Sequence, residues 1–324
     1  MVTDFPDPLG IRAAARTVLA RAHWVQLDPL GLDRLADLLP SPLPDLPDWD
    51  HPLHWRGDPD HTANYVLLLD ALNFCFWGEP RWRIRYGGQV YDGYWALAAA
   101  LRRALDEGRP VYDPRYLVSL SDAEIAALFA GEGTIPLLER RIAHVREVAR
   151  GLLEACDGSF ANLIRRAERS AAALVRLVSA VFPSFRDVAS YDGLLVPFYK
   201  RAQLLCTDLA GAFGGRDLGA FDDLPALTAF ADYKLPQVLR FHGTLRYADR
   251  LAQRVDAREE LPAGSPEEVE IRAATVCAVD ELVRRLQASG RSAAAWQVDW
   301  ALWQLGQTLP SDAPPYHRTR TPFY

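Results

Sequence analysis

The sequence predicts a mostly α-helical globular fold. Three observations predict it: apolar residues recur at helical spacing through most of the 324 residues, capping residues open and close those stretches, and strand-like alternation is clear in one place only. Strands do not alternate with helices, which excludes dinucleotide-binding and barrel architectures.

Residues 10–21 and 31–39 read as short helices. From Pro40 to Asp60 six prolines rule out regular structure, yet Trp49, His51, His54 and Trp55 mark an ordered loop packed on the body. A strongly apolar helix over 61–77 stops at Gly78. Trp82 to Tyr86 then alternates apolar and polar residues, turns at Gly87-Gly88 and returns through Gln89 to Tyr91, the pattern of a small β-hairpin over 82–91.

An Ala- and Leu-rich helix over 92–107 ends at Gly108, and Ser121 with Glu124 forms a capping box for a helix running to Gly131. A longer helix from Pro136 to Cys156 closes at Gly158. Another runs from Ala161 to Val181 and stops before Pro183. Ser265, Pro266 and Glu268 supply an N-cap, a first-turn proline and the N3 glutamate of a helix over 266–288. A helix near 293–306 and an irregular tail end the chain.

With 49% hydrophobic and 24% charged residues, the chain has the composition of a soluble globular protein long enough for a sizeable core. We expect one domain over 1–324, with two helical lobes flanking a cleft as its possible layout. A net charge of −6 and a pI near 5.7 argue against affinity for a phosphate polymer and suit a small cationic or zwitterionic ligand. Cys75, Cys156, Cys206 and Cys277 lie far apart without metal-ligand spacing, so reduced buried thiols and a cytoplasmic location are expected. The stretch from Met1 to Leu9, with Asp4, Asp7 and two prolines, lacks a leader's basic and apolar regions. No stretch has the length of a membrane span, and no repeat or low-complexity tract is present.

Only two of the 36 basic residues are lysines, Lys200 and Lys234. Arg is a fixed fork of donors, whereas Lys is a compact charge that burial can tune, so sparing lysines deserve separate attention. Three clusters carry candidate chemistry. Asn73 to Gly78 holds Phe74 and Trp77, three apart on the expected helix and able to form a stacking surface or a core pair. Pro197 to Gln203 holds Phe198, Lys200 and Arg201, with Asp208 further along the following helix. The two cations point in different directions, one toward a pocket and one toward solvent or a phosphate. The third cluster, Leu227 to Gln237, places Asp232 and Tyr233 just before a turn, because Pro236 disfavours helix at Leu235 and suits a helix start. Asp232 is then expected beside unpaired backbone N–H groups at the positive end of a new helix, as a cap or as a fixed anion.

The segments Asn73 to Trp77, Phe182 to Asp187, Pro197 to Gln203, Phe230 to Gln237, Glu268 to Ala273, Asp299 to Trp303 and His317 to Arg320 resemble the queuosine salvage family of queuosine 5′-phosphate N-glycosylase/hydrolases. The resemblance runs from about residue 10 to the C-terminus. It implies a fold similar to that of helix-hairpin-helix DNA glycosylases and hydrolysis of queuosine 5′-monophosphate to queuine and ribose 5-phosphate, with no cofactor or metal.

By that resemblance Asp232 stabilises the ribosyl cation, and Lys200 either assists the departing base or grips the 5′-phosphate. Tyr233 and Gln237 address the base edge, and Phe74, Trp77 and Phe198 stack on the base. Asp187 or Asp192 pairs with the secondary amine of the queuine side chain, and Arg201 with His317 or Arg318 contacts the phosphate. Lys234 stands apart, since Arg would serve a structural ion pair there equally well. A monomer is expected, with no nucleic-acid polymer and no membrane as partner. Two other classes stay open: a helix-hairpin-helix protein binding DNA or RNA, such as a base-excision enzyme, and a helical scaffold without activity.

Overall fold

Caps and turn residues set the boundaries of the elements. The computed structural model describes residues 5–47 and 49–324, so Asp4 lies outside the described residues. In chain order it contains α1 (Ile11–Ala20), β1 (Val25–Leu27), α2 (Pro29–Leu38), α3 (Pro59–Ala71), β2 (Arg83–Tyr86), β3 (Gln89–Asp92), α4 (Gly93–Asp106), α5 (Pro114–Ser119), α6 (Asp122–Leu128), α7 (Leu138–Ala155), α8 (Phe160–Arg166) and α9 (Ala171–Val181). There follow β4 (Val188–Tyr191), β5 (Leu194–Pro197), α10 (Lys200–Ala212), α11 (Lys234–Phe241), β6 (Leu245–Tyr247), α12 (Asp249–Asp256), α13 (Pro266–Ala288) and α14 (Ala295–Gln307). The fold is mostly α, as the periodicity predicts. The Ser121 capping box forms at α6, and the Ser265 hydroxyl accepts from Glu268 N–H at the start of α13.

Several local expectations are corrected. The helix expected through Trp77 ends at Ala71, because Leu72 to Gly78 leaves the helical path and Cys75 takes a left-handed φ of 42°. The helix expected over 161–181 is broken between α8 and α9, where Glu168 and Arg169 adopt positive φ. A second hairpin, β4–β5, turns at Asp192-Gly193, both left-handed, so 82–91 is not the sole strand region. β1 pairs antiparallel with β6, Val25 opposite Tyr247.

The described residues form two compact units. The first draws on Met1–Asp45, Asp187–Gln203 and Asp223–Arg320; the second on Leu46–Arg186, Leu204–Asp222 and Thr321–Tyr324. α10 starts in the first and enters the second after Gln203.

The first unit is built around α13, which packs against α1, α2, α11, α14 and β1. Such a helix must be apolar on nearly every face, and Val269, Ile271, Ala274, Ala278, Val279, Leu282 and Val283 are all buried. Its buried charges are matched one by one, as burial demands. Glu270 accepts from the backbone N–H of His23, Trp24 and Val25 and from the Tyr191 hydroxyl. Asp280 pairs with Arg12, and Arg272 with Asp187. α2 comes so close to the chain after α11 that a side chain at Gly31 would strike the Gly243 carbonyl.

In the second unit α7 packs on α5, α3 and α6, and α3 packs on α8. The proline-rich stretch is held by ring contacts: Trp49 stacks on His54 at 4.1 Å and His51 lies 3.9 Å from Trp95.

Candidate active site

The backbone leading to Asp232 has no strand or helix partner from Leu227 onward, so its polar groups need side chains instead. Four buried side chains supply them. Arg12 of α1 donates to the carbonyls of Ala226 (2.7 Å) and Leu227 (2.8 Å). Gln203 of α10 bonds Thr228 twice, accepting from its N–H (2.8 Å) and donating to its hydroxyl (3.1 Å). Asp299 of α14 accepts from Phe230 N–H at 2.6 Å. Arg272 of α13 donates from Nε to the Ala231 carbonyl at 3.0 Å. An irregular segment becomes as fixed as a strand by this route.

Asp232 follows directly. Its Oδ1 accepts from the N–H of Lys234 (2.7 Å) and Leu235 (3.0 Å), the open donors of α11. Its Oδ2 makes no hydrogen bond among the described residues, and the side chain is only partly buried. The positive end of α11 therefore faces a carboxylate with one oxygen anchored and one available.

Two further charged groups act on this point. Lys200, 6% exposed, opens α10, and its N–H donates to Asp187 Oδ2 at 3.1 Å. Asp299 is buried, and burial pushes its carboxyl up to about 8; the Phe230 N–H and the Lys200 charge oppose that rise, and the Asp232 charge adds to it. Asp299 thus feels both the Asp232 and the Lys200 charge within the first unit. A protonated carboxyl can donate a hydrogen bond, a fixed carboxylate can stabilise a cation and an ammonium can stabilise an anion. Among the described residues no group of three His, Cys, Asp or Glu side chains is arranged to hold a metal ion.

Residues 53–324 match the family described as queuosine salvage protein. A Sphaerobacter thermophilus protein named queuosine 5′-phosphate N-glycosylase/hydrolase is 54% identical over 323 residues, covering the whole of both chains. Proteins of the same name from Mus musculus and Dictyostelium discoideum are 36% and 38% identical, covering 98% and 81% of this chain and 99% and 78% of theirs. The chain belongs to the queuosine salvage family.

In this family member the first unit brings together Asp187, Phe198, Lys200, Asp232 and, beside Asp232, Tyr233. The remaining expectations need adjustment. Asp187 is not free for a ligand amine: it holds Arg272 in a bidentate pair at 2.9 and 2.6 Å, both side chains 3% exposed. Asp192 sits exposed at the tip of the β4–β5 hairpin, where its role is the turn. Phe198 has one ring face covered by the Arg272 guanidinium at 3.9 Å. Arg201 does not face solvent opposite Lys200; both are buried.

Gln237 is engaged at both ends, accepting from Lys234 Nζ (3.3 Å) and donating to the Pro314 carbonyl (2.9 Å). Tyr233 packs against Tyr316 with centroids 4.9 Å apart. His317 is buried, and burial first, then the Arg272 charge, pushes its imidazole down to about 3, so it is neutral. Arg318 is half exposed, and its carbonyl accepts from Leu261 N–H. Lys234 packs its methylenes on Gly306.

Phe74 and Trp77 belong to the core of the second unit and share no helical face. Arg141 covers the Phe74 ring at 4.2 Å and His144 flanks it at 5.0 Å. Sequence reasoning missed Asp299 as a site residue, although Asp299 to Trp303 was among the segments carrying the resemblance. Its i, i+3 and i, i+4 neighbours on α14, Trp296, Leu302 and Trp303, make it an acid on an apolar helix, and that was the available signal. The second unit also holds a histidine cluster, with His54 Nε2 2.7 Å from the Tyr94 hydroxyl.

Proposed function

We propose that the protein hydrolyses the N-glycosidic bond of queuosine 5′-monophosphate, releasing queuine and ribose 5-phosphate. Cleavage of a ribosyl C1′–N bond builds positive charge on the sugar, and a preorganised carboxylate lowers that barrier. Water adds its hydroxyl to C1′, and the base leaves with the bonding pair and gains a proton.

One observation carries the reading: Asp232 has one oxygen anchored by two N–H groups of α11 and the other without a hydrogen bond among the described residues. We assign it to stabilise the ribosyl cation and orient the attacking water. A 7-deazapurine has no N7 to protonate, so its departure relies on hydrogen bonds to the base edge. Asp299, protonated at neutral pH by its burial, suits a donor there, and Lys200 suits the developing negative charge. Tyr233, beside Asp232 and half buried, is assigned to the base, and half-exposed Arg318 to the 5′-phosphate.

The test incubates the protein separately with queuosine and with its 5′-monophosphate and follows free queuine by mass spectrometry. Release from the monophosphate is expected. Release from neither substrate removes the reading.

A further inference from the structure

We propose that Arg272, held by Asp187, is a positioning residue that fixes the Lys200 backbone relative to Asp232; this rests on the function proposed above. The Arg272 guanidinium uses its whole fork. Nη1 and Nη2 grip the two oxygens of Asp187, Nε reaches the carbonyl of Ala231, the residue before Asp232, and the plane lies on the Phe198 ring. Asp187 passes the connection on. Its Oδ2 accepts from Lys200 N–H at 3.1 Å, and its backbone carbonyl accepts from the N–H of Phe198 (2.9 Å) and Tyr199 (3.1 Å).

Tyr199 sits at φ 47°, a conformation an L-residue adopts only when its surroundings impose it, and it immediately precedes Lys200. The bonds that Asp187 makes on both sides of Tyr199 impose that conformation. One side chain on α13 therefore joins the start of α10, which carries the cation, to the irregular segment that carries the anion of the site. An ammonium cannot reproduce this, because a point charge cannot bond two carboxylate oxygens and a carbonyl along three fixed directions. The pair is screened from solvent and backed by Glu268, 3.7 Å from Arg272.

The experiment compares wild type with Arg272→Lys, Asp187→Asn and Arg272→Ala, and with Leu282→Ala, a core truncation that lowers stability and removes none of the hydrogen bonds of Arg272 or Asp187. Hydrogen exchange of the ligand-free proteins is expected to rise selectively in the stretches 198–203 and 228–235 for the three pair variants and not for Leu282→Ala. Turnover of queuosine 5′-monophosphate is expected to fall about 10²-fold with KM changed less than about threefold. Added guanidinium ion is expected to restore part of kcat in Arg272→Ala, which a merely structural loss would not allow. Unchanged exchange in either stretch overturns the proposal, and so does unchanged kcat in the pair variants of an active enzyme. Should wild type release no queuine while exchange rises as expected, the positioning role stands and the functional reading falls.

Discussion

Asp232→Asn keeps an oxygen to accept from Lys234 and Leu235 N–H and removes only the negative charge. We therefore expect kcat to fall about 10²–10³-fold with a melting temperature within a few degrees of wild type and KM little changed. Steady-state kinetics beside a thermal melt checks it, and wild-type turnover would leave the anion without a role. Asp299 makes a pH prediction with a definite sign. Its carboxyl sits at about 8 folded against 3.8 for an unperturbed Asp. Below about pH 4 both states hold the proton; between there and about pH 8 the unfolded chain releases a proton that the folded chain keeps. Its contribution to stability is therefore fully present in acid and lost as pH rises through about 8. Asp299→Asn, which retains the acceptor for Phe230, should melt higher than wild type near pH 8, with the gap closing toward pH 4. If protonated Asp299 assists the base, kcat/KM of wild type should also fall above about pH 8.

The run from Ala226 to Asp232 is the element on which the site depends, and side chains on four helices bond its backbone. Arg12→Ala removes two carbonyl partners of that run and strands buried Asp280 without its cation. Loss of one partner of a buried pair costs about 3–5 kcal/mol, so urea unfolding should show a drop of that order together with reduced turnover. How far elements were legible follows from the range of their signals. α13 and the start of α6 were read to within a residue or so because their caps are local chemistry, Ser265 with Glu268 and Ser121 with Glu124, whereas α6 ends at Leu128, short of Gly131. The Asp192-Gly193 turn was equally local and could have been recognised as a hairpin rather than as a ligand acid. The β1–β6 pair could not: three residues per strand carry no pattern, and their partners lie far apart in the chain. The end of α3 at Ala71 was also hidden, since the apolar run continues through Trp77 and only the backbone departs.

At the scale of the whole molecule, charge and thiols are the testable quantities. With a net charge of −6, the protein should not retain duplex DNA or RNA in a gel shift at low salt and submicromolar concentration. All four cysteines are buried thiols, and burial pushes the Cys156 thiol up to about 11 and that of Cys277 to about 12. A thiol reagent at about pH 8 should therefore label almost none in the native protein and all four in denaturant. Among the described residues no helix is long and apolar enough to cross a membrane.

The sequence by itself determined the mostly helical class, the principal caps, the acidic balance and the position of Asp232 at the start of a helix. Each of these depends on residue types within a few positions of one another. Only the tertiary structure decided that Asp187 is committed to Arg272, that Arg201 and His317 are buried, and that Asp299 stands electrostatically beside Asp232 and Lys200. Burial and long-range pairing set those outcomes, and both depend on which distant segments the folded core brings against each side chain.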